Sequence, residues 1–262
     1  MYLNLHTAIF LFVASALGGA LNSVAGGGSF ISFPALLFTG VAPIAANATN
    51  TVALWVGTTA SGGAYRKHLD ISRRVMVPLA VTSVIGAVAG AYLLLHTPAQ
   101  TFLRVLPWLM LGATLLFTFG GRLPRGAGGS IAGGSIANDA STSALAVAAI
   151  FELVVAVYGG YFGGGIGILN LAMLAALGMT DIHRMNALKV VLGGIINGVA
   201  VITFVLARAV VWKQGSVMIV GALLGGYLGA HYAQKLPGAW IRGFVIVVGT
   251  GMTLYFFWSG YR

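Results

Sequence analysis

The sequence of 262 residues contains no cysteine, only four acidic residues and no more than 7% charged residues in all. Without cysteine there are no disulfides, no thiolate nucleophile and no zinc knuckle. With 58% hydrophobic residues and a mean hydropathy of +0.95, the chain has too few polar groups to coat a soluble domain, so its solvent is the lipid bilayer. There is no GxxxxGK[ST] loop, which removes ATP-driven transport by this chain alone. The five histidines show no HExxH spacing, and neither a GxSxG elbow nor a pair of membrane aspartates is present. The expectation is a protein that is not an enzyme and uses no cofactor or metal. A formal charge of +10 would point to nucleic acid in a soluble chain. Here Arg66, Lys67, Arg73 and Arg74 sit at the ends of apolar runs, where membrane orientation accounts for them and no nucleic-acid partner is expected. The first apolar run has no basic n-region and continues directly into a glycine-rich motif, so it reads as a retained span rather than a signal peptide.

What is present is said nearly twice. Leu17–Gly40 reads LGGALNSVAGGGSFISFPALLFTG and Val157–Gly178 reads VYGGYFGGGIGILNLAMLAALG, so each half interrupts a long apolar segment with three glycines and resumes it for about three turns. Gly86–His96 (GAVAGAYLLLH) and Gly221–His231 (GALLGGYLGAH) agree at both glycines, the tyrosine, the following leucine and the histidine. This reads as an internal duplication around two broken hydrophobic helices, a pattern that places a polar site at mid-depth, because irregular backbone in a bilayer is tolerated only where protein or water covers it.

Apolar windows predict about eight transmembrane helices near 5–25, 46–65, 75–95, 102–119, 143–162, 184–207, 214–233 and 240–259, with short half-helices at 29–39 and 166–177. The fold class is an all-α integral membrane protein: one transport domain over 1–262, with repeat 1 at 1–120, a Gly/Ser/Ala-rich linker at 121–142 and repeat 2 at 143–262. If the short segments turn back, each repeat has four spans. Arg66, Lys67, Arg73, Arg74, Arg122, Arg125, Arg208 and Lys213 then share a cytoplasmic side with both termini. If they complete a crossing, the halves are inverted, with Lys235 and Arg242 moving inside and Arg208 and Lys213 outside. The four-plus-four arrangement is the expectation.

Glycine at i, i+4 spacing (Gly86/Gly90, Gly221/Gly225/Gly229) serves close helix packing, and such ridges permit a homodimer without requiring one. The triplets Gly26–Gly28 and Gly163–Gly165 are different. Each glycine weakens a helix by roughly 1 kcal/mol relative to Ala, and the triplets free backbone N–H groups at the start of the following helix, which with the helix dipole form an anion seat. In GMTDIHRMNALK, Thr180 or Asp181 can cap a helix that carries Arg184, Asn186 and Lys189, the last roughly 12 Å along it. A lysine that deep has a poor route for snorkelling, so Lys189 and Asn186 are preferred over Arg184 as site residues. The first-repeat counterpart, GVAPIAANATNT, supplies Asn50 and Thr51, with Thr51 at the position of Lys189. Glu152 lies between AVAAIF and LVVAVY, where it either holds a proton or pairs with Lys189, in a coupling or gating role or a structural one. His96 and His231 read as interfacial helix ends.

AGGGSFISFPALLFTGVAPIAANATNT and its echo GGYFGGGIGILNLAMLAALGMTDIHRMNALK resemble the two signature repeats of the sulfite exporter TauE/SafE family, also called the toluene-sulfonate uptake permease family, over essentially the whole chain. The resemblance implies a bacterial-type inner-membrane carrier of sulfur-containing anions such as sulfite, thiosulfate or sulfoacetate. The expected function is secondary transport of small anions at a site formed by Gly26, Gly27, Gly28, Asn50, Thr51, Gly163, Gly164, Gly165, Asn186 and Lys189. An anion channel, or a membrane scaffold without transport, is the alternative.

Overall fold

A computed structural model describes residues 3–24, 26–62, 72–119, 142–176, 179, 182–232 and 238–261. Among these the chain is all helical: α1 (Leu5–Val24), α2 (Ser29–Phe38), α3 (Pro43–Gly62), α4 (Arg73–His96), α5 (Ala99–Phe119), α6 (Thr142–Tyr161), α7 (Ile166–Ala176), α8 (Ile182–Leu206), α9 (Trp212–Tyr232) and α10 (Gly238–Gly260). Eight long helices and two short ones stand where the apolar windows put them. Stretches of α1, α4, α5, α8 and α10 are long and apolar enough to cross a membrane. Helix α3 falls short because Asn47, Thr49, Asn50 and Thr51 lower its hydropathy, and all four are buried inside the protein. The linker, the basic pair Arg66 and Lys67, Lys235, and the capping residues Thr180 and Asp181 lie outside the described residues.

Helix directions follow from which residues meet. Methyl groups placed on Gly221 and Gly229 of α9 would strike Phe12 and Ala20 of α1 respectively, so these helices run in the same direction. Helix α9 is also parallel to α3, because the Val211 amide donates to Thr49 Oγ1 (2.9 Å) near both starts while Gly226 lies against Gly57 farther along. Helices α4 and α6 are likewise parallel, with Gly86 against Leu153 and Gly90 against Tyr161. The second set opposes the first: the Asn47 amide, in the first turns of α3, donates to the carbonyl of Tyr161 at the end of α6 (3.0 Å). Helices α5 and α10 are antiparallel, joined by Trp108 Nε1 donating to Tyr261 Oη (2.8 Å) and by Gly249 facing Thr114.

The first short helix carries the chain back to the end it came from and so completes a passage of its own, the second of the two arrangements, and this changes the expected topology. Helix α2 begins at the level of Asn50, midway along α3, and returns the chain to the end where α3 starts. Helix α3 therefore runs parallel to α1, each half makes an odd number of passages, and the halves are oppositely oriented. The four-plus-four expectation, with Arg208 and Lys213 on the side of Arg73 and Arg74, is corrected. Charge counting could not decide this because moving two basic pairs between the sides nearly cancels. The starts of α1 and α9 and the end of α10 lie at one end. Gly62, Ser72, Phe119 and Thr142 lie at the other.

Close glycine contacts hold the two halves together across the middle. Gly225 lies against the Ala16 carbonyl, Gly19 against Ala222, Gly90 against the Val157 carbonyl and Gly160 against Ala87. Lipid gives no hydrophobic drive for helix pairing, so this close approach of backbones supplies the van der Waals contact that replaces it. The small-residue ridges are thus occupied within one chain. Cysteines placed at Ser72 and Lys213 are expected to react with an impermeant maleimide from opposite faces of sealed vesicles. Labelling of both from one face would restore the four-plus-four arrangement.

Candidate functional site: a cavity between two broken helices

Gly26 (φ +82°), Gly163 (φ +74°) and Gly165 (φ +78°) adopt the left-handed conformation that glycine alone adopts cheaply. The turns they make stop α1 and α6 and start α2 and α7 inside the bundle. Helix α2 begins at Gly28 with no side chain capping it, which leaves the positive end of its dipole to whatever lies beside it. The two breaks touch: a methyl group on Gly26 would stand 3.5 Å from Gly167 Cα.

Around this contact is a cavity of about 410 Å³. Gly26 and Ser29 border it from the first break, and Gly163, Ile166 and Gly167 from the second. Thr51 and Trp55 enter from α3, Lys189 and Asn197 from α8 and Asn22 from the end of α1. The half-buried Lys189 makes no hydrogen bond or ion pair with any described residue. Its aliphatic stem passes Gly167, where a methyl group would press on Cδ at 3.3 Å. Asn22 and Asn197 are also free of protein partners among the described residues, and Asn197 Oδ1 faces Gly163. One cation and two carboxamides are therefore available to a ligand, next to two helix starts.

Of the residues expected in the site, Gly26, Thr51, Gly163 and Lys189 line the cavity. The others lie elsewhere. Asn50 is fully buried and stitches α3 to α2, its Nδ2 donating to Ser29 Oγ (3.2 Å) and its Oδ1 accepting from Ser32 Oγ (2.5 Å). Gly27 faces Val245, Gly28 the Gly18 carbonyl, Gly164 the ring of Phe162 and Gly165 Ala113. Asn186 is half-buried outside the lining. Asn197 was legible as a lone carboxamide in VVLGGIINGVAV, roughly 12 Å beyond Lys189. Nothing in the sequence distinguished Asn22 or Trp55.

Glu152 is fully buried, accepts from Ser83 Oγ on α4 (2.5 Å) through Oε1, and leaves Oε2 without a partner. It does not line the cavity and forms no ion pair with Lys189, so the pairing alternative is set aside in this conformation. The side chains lie on different faces: Glu152 points into the α4–α6 seam and Lys189 toward the breaks.

The cavity extends toward the end where α1 and α3 finish, past Ser23, Thr58 and Thr59. Toward the other end the space is filled. Phe33 packs edge-on against Phe102 (ring centroids 6.1 Å) and Phe162 (5.9 Å), and the Asn47–Tyr161 hydrogen bond lies at the same end.

An apolar helix bundle with broken helices meeting at a polar cavity is the architecture of a multi-pass membrane transporter. The chain belongs to the sulfite exporter TauE/SafE family, whose profile matches residues 11–256. It is 27% identical to "Probable membrane transporter protein ORF9" of a Sinorhizobium species, over 96% of this chain and 93% of that protein. It is 26% identical to a "Probable membrane transporter protein" of Haemophilus influenzae, over 97% and 95%. The probable membrane transporter protein YfcA of Escherichia coli K12 is likewise 26% identical, over 93% and 87%. No solved structure matches the chain.

The free state of Lys189 has a stability consequence. Ser83→Ala strands the second oxygen of Glu152 and is expected to lower unfolding stability in detergent by about 1–3 kcal/mol. Lys189→Met removes a cation that has no partner among the described residues and is expected to leave stability unchanged or raise it. A Lys189→Met protein destabilised as much as Ser83→Ala would show that the lysine is paired after all.

Proposed function

We propose that this membrane transporter is a secondary carrier of small anions, with sulfur oxyanions or organosulfonates as substrates. The observation that carries the reading is Lys189: a cation with no partner among the described residues, beside two helix starts, in a cavity that extends toward one end of the bundle. A sulfonate or sulfite group presents three oxygens. Lys189, the carboxamides of Asn22 and Asn197 and the backbone at Gly26 and Gly163 can replace its water shell. The family's printed description, sulfite exporter TauE/SafE, supports the sulfur chemistry.

The closure toward one end favours a carrier over a channel, since a channel needs continuous access from both sides. Exchange of the closed and open ends would deliver the anion across the membrane. The two halves, 1–120 and 143–262 with the 121–142 linker between them, are read as an inverted duplication whose matching helices swap roles in that exchange. The end that carries Arg73, Arg74 and Arg184, from which the Arg66–Lys67 and Arg122–Arg125 segments depart, is read as cytoplasmic. Glu152 sits in the α4–α6 seam between the halves, where gain or loss of a proton would act on their movement rather than on the anion.

Lys189→Met is expected to weaken anion binding by about tenfold to a hundredfold, the worth of a charge-assisted hydrogen bond. Glu152→Gln is expected to keep binding and change only the pH dependence of flux. Titration calorimetry in detergent and uptake into proteoliposomes at several pH values measure the two. A Lys189→Met protein that binds and transports sulfite and sulfonates normally would sink the carrier site, and flux that never saturates would favour the channel.

A further inference from the structure

We propose that Trp55 is the specificity-determining residue of the cavity and that the preferred substrate is a monoanion with an apolar arm, its anionic head at Lys189 and its arm along the indole. This rests on the anion-carrier reading and goes further, because it says which anions the cavity selects.

The charge inventory comes first. Among the described residues Lys189 is the sole charged side chain in the lining, and it has one positive charge to offer. A dianion would carry its second charge into a wall built from Leu54, Trp55, Ile166, Val190, Val191 and Ile195, where an uncompensated charge is costly. A volume of about 410 Å³ also lies within the roughly 300–1,000 Å³ of organic-ligand sites, more than a bare oxyanion fills.

Trp55 is held as a rigid wall. Its Nε1 donates to the Gly194 carbonyl (3.0 Å) across the α3–α8 interface. A methyl group on Gly198 would touch the indole at 3.2–3.3 Å, so the ring is seated against bare α8 backbone. Gly193 stands one turn beyond Lys189 on α8 and the indole is anchored beside it at Gly194, so head and arm levels are separated by roughly 6 Å along α8. At the arm level the space is open: a methyl group on Gly193 meets nothing within 4 Å. The indole and the open glycine lie side by side in the lining at this level and leave room for a flat or slender apolar group.

The test is a binding series on the purified full-length protein with methanesulfonate, butanesulfonate, benzenesulfonate and, at a pH where it is a dianion, sulfite. Wild type should gain up to about fourfold in affinity per buried methylene, bind benzenesulfonate at least as well as butanesulfonate, and bind sulfite weakest. Trp55→Ala should flatten the series, with the largest loss at benzenesulfonate and less than about twofold change for methanesulfonate, while Trp55→Phe should keep most of the slope. Gly193→Leu should fill that space and reverse the preference toward methanesulfonate, which tests the same space should Trp55→Ala fail to fold. A wild-type series that is flat, or in which sulfite binds tightest, overturns the role of Trp55 and leaves the anion site standing. No binding of any of the four overturns the anion-carrier reading and this inference with it.

Discussion

Inside hydrocarbon every backbone amide and carbonyl must find a partner in the protein, and the rest of this fold depends on that constraint. A helix broken at three glycines exposes several such groups, so it exists at mid-depth only if other helices sheath it. The structure meets the demand by setting the two breaks against each other, Gly26 on Gly167, and wrapping them in long helices. The wrapping is reciprocal: α1 of the first half packs on α9 of the second, and α6 of the second on α4 of the first, each through glycine or alanine in backbone contact. Each break draws part of its cover from the other half, Gly27 from Val245 and Gly165 from Ala113.

Where the sequence match sets the two halves against each other their side chains differ, and the difference makes the cavity one-ended. By the sequence match Asn47 corresponds to Met185, Thr51 to Lys189, Thr59 to Asn197 and Phe33 to Asn170. Where the first half has Phe33 in an edge-on aromatic cluster, the second has Asn170, fully buried with both amide atoms unpartnered. Where the first half latches through Asn47 to Tyr161, the second has a thioether that donates nothing. Aromatic packing and a cross-half hydrogen bond therefore gather at one end, and the polar groups free to meet a ligand gather toward the other.

Much of this was legible in the chain. The lipid environment, the ten helices and the two breaks follow from hydropathy and glycine runs, because a missing polar coat and a missing Cβ act on local backbone and solvent alone. Lys189 was legible for the same reason: a charge amid apolar residues is costly wherever the helix goes. The glycine triplets were only partly so. Each has three residues that look interchangeable, yet Gly26 and Gly163 reach the cavity while Gly27, Gly28, Gly164 and Gly165 are used against Val245, Gly18, Phe162 and Ala113. Which way a glycine faces is set by the turn it makes, and that depends on the partner helix.

Asn50 and Trp55 mark the boundary between the two kinds of information. Asn50, polar in an apolar span, had every local mark of a ligand group, but the serines of α2 satisfy its carboxamide. Trp55, ordinary in sequence, is placed at the cavity by a carbonyl of α8 well over a hundred residues away. The sequence by itself determined that the protein lives in lipid, is helical, breaks two helices and buries a lysine, since each of these is a balance between residues and their immediate surroundings. Only the tertiary structure decided that the halves run in opposite directions, that Glu152 and Lys189 are apart, and which polar groups remain free. Those outcomes depend on which side chains of the other half consume a hydrogen bond, and no local pattern records that.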